Sequence, residues 1–328
     1  MQNACCHRAA GILHKPLVFS NLPVTMIFLH KSIAETKIIS TFAVYYFTNT
    51  LTNMITIKNL GFTYGETEVL KNINMTLHEG CVYGLLGENG VGKTTLLTLL
   101  CGLKKPQTGS IDIDGYDPYD RNPSFLAEQY YLSDEVASMN MTAEDYASNY
   151  GKFWTGFDME KFHEVMNVFE ADPKQKMTRM SFGQLKKAYI AYALACNTKY
   201  LFMDEPTNGL DIPSKAQFRK AITRYTREDS VVLISTHQVR DLENIIDPII
   251  ILDRQDVLLN ASVTEISEKL YFDYTNERNP DSLYCEMIPG GNIQVYQNQT
   301  GEDSKVNLEA LFNTVHQHKE LIKGIFNK

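Results

Sequence analysis

From residue 54 the chain alternates. Met54-Ile-Thr-Ile-Lys-Asn-Leu60 opens with apolar side chains on every second position, the pattern of a first strand with one buried face. Further on, short unbroken apolar runs replace the alternation. Cys81-Val-Tyr-Gly-Leu-Leu86 and Tyr200-Leu-Phe-Met-Asp204 read as strands buried on both faces, and Gln129-Tyr-Tyr-Leu-Ser133 as a shorter one. Helical stretches lie between them: the apolar run Thr95–Leu103, Glu144–Trp154, Met159–Phe169 and an Ala-rich segment from Lys186 to Asn197. Toward the C-terminus, Leu283–Ile288 and Asn292–Tyr296 flank Pro289-Gly-Gly and predict a β-hairpin, and Val306–Phe312 starts a closing helix. Strands alternating with helices indicate an α/β fold.

Composition narrows the class. Of 328 residues, 31 are Lys or Arg and 39 Asp or Glu, a net charge of −8 that argues against a general nucleic-acid binder. The length leaves room for two domains. No run of 18 apolar residues occurs, so the chain alone is not expected to cross a bilayer. Six cysteines, at 5, 6, 81, 101, 196 and 285, show no CxxC spacing. A zinc cluster, a thioredoxin-type motif and a disulfide framework are therefore not expected, and a reducing, cytosolic setting fits.

Residues 1–53 differ from the rest. Arg8, Lys15, Lys31 and Lys37 face one acid, Glu35, a local charge of +3 that leaves −11 on the remainder. Apolar patches such as Ile38–Phe47 are broken by polar residues, with no clean apolar core and small-residue cleavage site of a signal peptide. This stretch is expected to be a disordered or weakly structured extension, or a non-native start with Met54 as the true beginning.

The chemistry concentrates at two places. Gly84-Leu-Leu-Gly-Glu-Asn-Gly-Val-Gly-Lys-Thr-Thr95 contains Gly87-xxxx-Gly92-Lys93-Thr94, a P-loop, set between a strand and a helical run. Glycines let backbone N–H groups face phosphates, and the helix N-terminus adds its positive end. Lys93 can reach the β- and γ-phosphates, and the Thr94 hydroxyl can ligate Mg²⁺. About 110 residues later the run at 200–204 ends in Asp204-Glu205. Asp204 is placed to hold Mg²⁺, and Glu205 to act on an attacking water as general base or orienter. A solvated strand end is the plain alternative for such a pair. Together with the P-loop, the functional reading is favoured.

These residues, and those between and after them, resemble the nucleotide-binding subunit of the ABC transporter family. Met180-Ser181-Phe182-Gly183-Gln184 resembles the LSGGQ signature, which lies 20 residues before Asp204-Glu205. Pro206-Thr-Asn-Gly-Leu-Asp211 matches the D-loop, Ile234-Ser-Thr-His237 the switch region, and Tyr64 the aromatic residue that stacks on adenine. Singly, each has a plainer reading: Tyr64 a strand-end aromatic, His237 a surface or core histidine, Ser181 a helix cap. Five motifs in order outweigh those readings. Two departures stand out. Phe182 replaces the first signature glycine and Met180 the leading leucine. At the position of the Q-loop glutamine the chain has Asp134, which either takes a metal role or caps the following segment.

The resemblance implies a P-loop NTPase of ABC type: a mixed-sheet core over 54–255 with a helical insert at about 125–180, and a small α+β extension over 256–328. It implies ATP and Mg²⁺ as cofactors. Tyr64, Gly87, Asn89, Gly90, Gly92, Lys93, Thr94, Thr95, Ser181, Gly183, Gln184 and Asp211 would bind nucleotide. Thr94, Asp204 and Asp134 would hold the metal, and Glu205 and His237 would be catalytic. One chain carries one copy of each motif, so the site needs a second ATPase chain, identical or related, packed head to tail. A separate transmembrane permease would be the other partner, nucleic acid none, and the chain would sit on the inner face of the membrane through that permease. Trp154 lies either in the core of the insert or near the groove that receives the permease. Leu308-Glu-Ala-Leu-Phe312 resembles the ending of exporter-type ATPases. The alternative is a non-transport or regulatory ABC-type ATPase. Ribosome-acting relatives carry two cassettes in one chain, and chromosome-type ones insert long coiled coils. Here about 85 residues without sustained heptads separate Thr95 from Ser181. A chain begun at Met54 is expected to bind ATP as the full chain does, and calorimetry showing lost binding would refute this.

Overall fold

The computed structural model of the protein describes residues 53–326. The expected N-terminal extension lies, but for Asn53, outside them. The chain enters through β1 (Asn53–Tyr64) and turns back antiparallel as β2 (Thr67–His78). β3 (Cys81–Leu86) then leads through the glycine loop into α1 (Lys93–Leu100), and β4 (Thr108–Ile113) pairs antiparallel with the other edge of β1. After the short α2 (Pro123–Ala127) comes β5 (Gln129–Leu132). Three helices follow: α3 (Ala143–Tyr150), α4 (Met159–Val168) and α5 (Phe182–Ala195). β6 (Tyr200–Asp204), α6 (Ile212–Tyr225), β7 (Val231–Thr236), β8 (Ile249–Asp253) and β9 (Asp256–Ala261) complete the core.

The central sheet has six strands in the order β5-β6-β7-β3-β8-β9. All its pairings are parallel except β8 with β9. Successive residues along its strands feed two separate cores. Leu85, Phe202, Leu233 and Ile250 face one side, where they pack with α1 and the β2-β1-β4 sheet. Leu86, Met203, Ile234 and Ile251 face the other, with α4, α5 and α6. Both faces are covered, which is why these strands read as continuous apolar runs rather than alternating ones.

Caps explain where the helices begin. Ser181 and Gln184 form a reciprocal capping box at the start of α5, and Thr142 and Asp145 do so for α3. Asp211 caps α6, with Pro213 in its first turn. The helical insert was expected from about 125. However, β5 pairs with β6 inside the central sheet, so the helical excursion falls between β5 and Ser181. Trp154 packs this excursion against β5 and α5. Its indole N–H donates to Gln129 O at 2.7 Å, and its ring meets Tyr130 and Tyr192 edge-on.

The last segment comprises α7 (Val263–Lys269), β10 (Leu270–Thr275), β11 (Tyr284–Ile288), β12 (Gly291–Gln297), α8 (Leu308–Gln317) and α9 (Lys319–Phe326). Its antiparallel sheet has the order β10-β12-β11, and β11 with β12 makes the hairpin that the sequence pattern indicated. The boundary expected at 256 falls at the first residue of β9, which pairs with β8 as the last strand of the central sheet. We therefore place the start of the extension after Ala261. Val295, Leu311 and Val315 of this segment share a core with Ile251 and Leu259. Phe202 is wholly buried in the middle of the central sheet, whereas Ile212 is 84% exposed. Denaturant unfolding is expected to show a loss of about 3–5 kcal/mol for Phe202→Ala and within about 0.5 kcal/mol of no change for Ile212→Ala. Equal small losses would contradict this layering.

Candidate active site

The glycine loop is shaped by steric limits. A Cβ on Gly87 would lie 2.6 Å from Leu252 O and 2.8 Å from Val91 Cγ2, so no larger residue fits without displacement. Gly92, the residue before α1, has φ 112°, a left-handed conformation open to glycine at little cost. The loop returns on itself over Lys93. The lysine's Nζ donates to Gly87 O at 2.8 Å and to Glu88 O at 3.0 Å, and lies 3.4 Å from Glu205 Oε1. Burial pushes the Lys93 pKa below the ordinary lysine value, and Glu205 opposes that shift.

Parallel pairing of β6 with β7 and of β7 with β3 aligns three strand ends in one row. Asp204 closes β6, and Thr94 Oγ1 donates to its Oδ2 at 2.6 Å. Ser235 Oγ donates to Asp204 Oδ1 at 2.5 Å, and Tyr131 OH reaches Oδ2 at 3.5 Å. Burial, with Asp204 adding to it, raises the Tyr131 phenol far above its usual pKa, so it remains a donor. Glu205 follows with φ 45°, an uncommon conformation for a residue with a side chain. Its amide is held by Ser235 O at 3.2 Å and Ser235 Oγ at 3.1 Å. Its carboxylate meets His237 Nδ1 at 2.9 Å through Oε1, while Oε2 accepts from the His237 amide at 3.4 Å.

Lys93, Thr94, Asp204, Glu205 and His237 line one cavity of about 480 Å³, together with Asn89, Gly90, Gly92, Thr95, Asp134 and Asn208. Tyr64 stands on its wall about half exposed, with its ring edge-on to Phe62 and Lys104 Nζ 4.9 Å from its centroid. Gly87 lies beneath, bonded to Lys93. Four other expected residues are not among the cavity's lining. Ser181 Oγ accepts from the Gln184 amide at 3.3 Å, and Gln184 Oε1 accepts from the Ser181 amide at 2.9 Å. Gly183 packs against Gly209, and Asp211 Oδ1 accepts from the Ser214 amide at 2.9 Å. Asp134 lies on the cavity wall with its carboxylate engaged by Lys186 at 3.2 Å and by Asn208 at 3.3 Å.

The pair Thr94 Oγ1 and Asp204 Oδ2 are hard oxygen donors facing the cavity, the donor type Mg²⁺ takes. Among the described residues, no cluster of three or more His, Cys, Asp or Glu side chains is placed to hold a metal by itself. Two members of the constellation were given no role in the sequence reading. Ser235 bridges Asp204 and Glu205, and its one signal is a hydroxyl, beside that of Thr236, at the end of a buried apolar run. Lys186 has no exposed side-chain surface. In sequence it reads as one of two lysines opening an Ala-rich helix.

Comparisons with known proteins bear on the family and the fold. The family model described as ABC transporter matches residues 70–208. The chain is 28% identical over 232 residues to the ABC transporter ATP-binding protein NatA of Bacillus subtilis, covering 67% of this chain and 89% of that one. It is 30% identical over 223 residues to the uncharacterised ABC transporter ATP-binding protein YdbJ of Bacillus subtilis, covering 63% of this chain and 68% of that one. Among solved structures, a dimeric ATP-binding cassette in a post-hydrolysis state with ADP and phosphate superposes with a TM-score of 0.55 at 23% identity. The match covers 64% of this chain and 98% of that one, and speaks for the fold.

Ser235→Ala would leave the buried Asp204 Oδ1 without its donor, while the Glu205 amide keeps the Ser235 carbonyl. Urea unfolding of the nucleotide-free protein is expected to show a loss of about 1–3 kcal/mol. An unchanged midpoint and slope would mean the bridge contributes nothing.

Proposed function

This chain belongs to the ABC transporter ATP-binding family, and from that premise we propose that it is the ATP-hydrolysing subunit of a transporter complex, acting through a separate membrane-embedded partner. The observation that carries the reading is the Glu205–His237 contact at 2.9 Å beside Lys93, in the cavity that also holds Thr94 and Asp204.

The residues divide the work. The loop from Gly87 to Thr95 cradles the β- and γ-phosphates, and Tyr64 offers its exposed ring to the base. Lys93 is already poised between two loop carbonyls and Glu205. An entering γ-phosphate competes with Glu205 for the ammonium, which frees the carboxylate to face water. Glu205 then orients the water or accepts its proton as oxygen attacks the γ-phosphorus and the bond to ADP breaks. His237, held by the same carboxylate, sits where it can hydrogen-bond the transferring phosphoryl group. Thr94 and Asp204 fit Mg²⁺, which when bound neutralises charge on the phosphates.

Ser181, Gly183, Gln184 and Asp211 lie off this cavity, and we assign them to the site of a second chain. Their surroundings support this. Phe182 is 48% exposed and Ile212 84% exposed, apolar side chains at the starts of the two helices that carry them. ATP bound to one chain and gripped by the other's signature favours the closed pair, and phosphate loss removes that preference. No helix among the described residues is long and apolar enough to cross a membrane, so transport needs a partner chain that does. Export is the direction we favour, on the resemblance of residues 308–312 to exporter-type endings.

Glu205→Gln is expected to slow steady-state ATP hydrolysis by roughly 10²–10⁴-fold. The variant should also accumulate as a dimer with ATP in size-exclusion chromatography. Near-normal turnover, or a protein that stays monomeric at saturating ATP, would count against the assignment.

A further inference from the structure

Lys186 is a buried cation in the middle of the motor. Its side chain has no exposed surface. Its ammonium donates to Asp134 O at 2.7 Å, Asp134 Oδ1 at 3.2 Å and Ser133 O at 3.4 Å. A lysine ammonium has three protons to give, and three acceptors surround it. Asn208 Nδ2 adds contacts to both Asp134 oxygens, at 3.3 and 3.4 Å. Three segments meet here that are far apart in sequence: the loop after β5, the first turns of α5, and the loop between Glu205 and α6. Phe182 reinforces the junction. Its ring centroid lies 5.9 Å from Lys186 Nζ, and its edge packs on Gly209 closely enough that a Cβ there would sit 2.5 Å from the ring.

Asp134 shares the cavity wall with Asp204 and Glu205. Asp134 Oδ1 is taken by the buried ammonium, and like-charge repulsion opposes a divalent cation at the same carboxylate. Asp134 is therefore matched to Lys186 rather than to a metal.

We propose that Lys186 is a positioning residue. By holding Asp134, and through it Asn208, it ties the start of the signature helix to the loop that carries Glu205 in the same chain. Asp134 is its counter-ion, and Mg²⁺ is left to Thr94 and Asp204. The inference rests on the ATPase reading above. It adds a route by which contact of a second chain with Ser181–Gly183 reaches the catalytic carboxylate of the chain that carries them.

The test is a double-substitution cycle of Lys186→Met, Asp134→Asn and both together, read in three ways. In nucleotide-free protein, Lys186→Met should lower the melting temperature by several degrees and the double variant should regain at least about half of that loss. In ATP hydrolysis, kcat should fall at least about tenfold in Lys186→Met and recover at least about fivefold in the double variant, with KM for ATP in the double variant within about threefold of the parent. The Mg²⁺ concentration for half-maximal activity in the double variant should stay within about twofold of the parent, since no metal ligand has been lost. Additive losses would overturn the proposal, as would a normal kcat in Lys186→Met, which would make the pair a strut only. A tenfold or larger rise in the Mg²⁺ requirement would return Asp134 to the metal. If Lys186→Met is insoluble alone, a soluble double variant supports the pairing and an insoluble one overturns it. A parent chain without ATPase activity would sink the functional reading instead, while the melting cycle would still decide the pair.

Discussion

The carboxylate of Asp204 joins segments separated by more than a hundred residues. Thr94 donates to one of its oxygens and Ser235 to the other. Ser235 in turn accepts from the Glu205 amide. Through these short contacts the first turn of α1, the end of β6 and the end of β7 are held in one arrangement. Everything the site can do depends on it. Thr94 and Asp204 present paired oxygens, Glu205 is turned into its uncommon backbone conformation, and His237 arrives within reach of the carboxylate. A buried carboxylate without such donors would be costly, so the network also makes the charge tolerable.

The central sheet supplies the rigidity this requires. Its strands are buried on both faces, and the side chains beside Asp204 in the sheet, Phe202 and Met203, are fully enclosed in opposite cores. The C-terminal extension adds a second brace. Arg240, just past His237, pairs with Glu309 of α8. Lys319 and Lys323 of α9 pair with Asp253 and Asp256 at the β8–β9 turn. Exposed pairs such as Arg240–Glu309 contribute little each. Together with the shared apolar core they fix where the extension sits, beside the segment that follows His237.

Much of the site was legible because its demands are local. Glycines at 90 and 92 between an apolar run and a helical one, and two acids ending a buried strand, stand out in the sequence, and the fold brings them to one cavity. The cap at Ser181 is likewise local, whereas the Thr142–Asp145 capping box was not read from the sequence. Ser235 and Asn208 were quoted within motifs without a role, because a hydroxyl or an amide acquires one only from what it faces. Lys186 was read as part of a helix, and nothing nearby in sequence reveals that its partner is 52 residues upstream. Asp134 was read as either a metal ligand or a cap, because a carboxylate after a short strand does not disclose which distant group it faces. The start of the extension was misplaced because β9 has an ordinary strand pattern that does not say which sheet it joins.

Hydrophobic period and glycine placement by themselves marked the strands at 54–60, 81–86, 129–133 and 200–204, the C-terminal hairpin, several helices and the phosphate loop, since each is a response of a short stretch of backbone to its own side chains. Strand order, the division of alternate residues between two cores, and the pairing of Lys186 with Asp134 were decided only by the folded whole. They depend on which distant strands lie side by side, and local propensity carries no record of that.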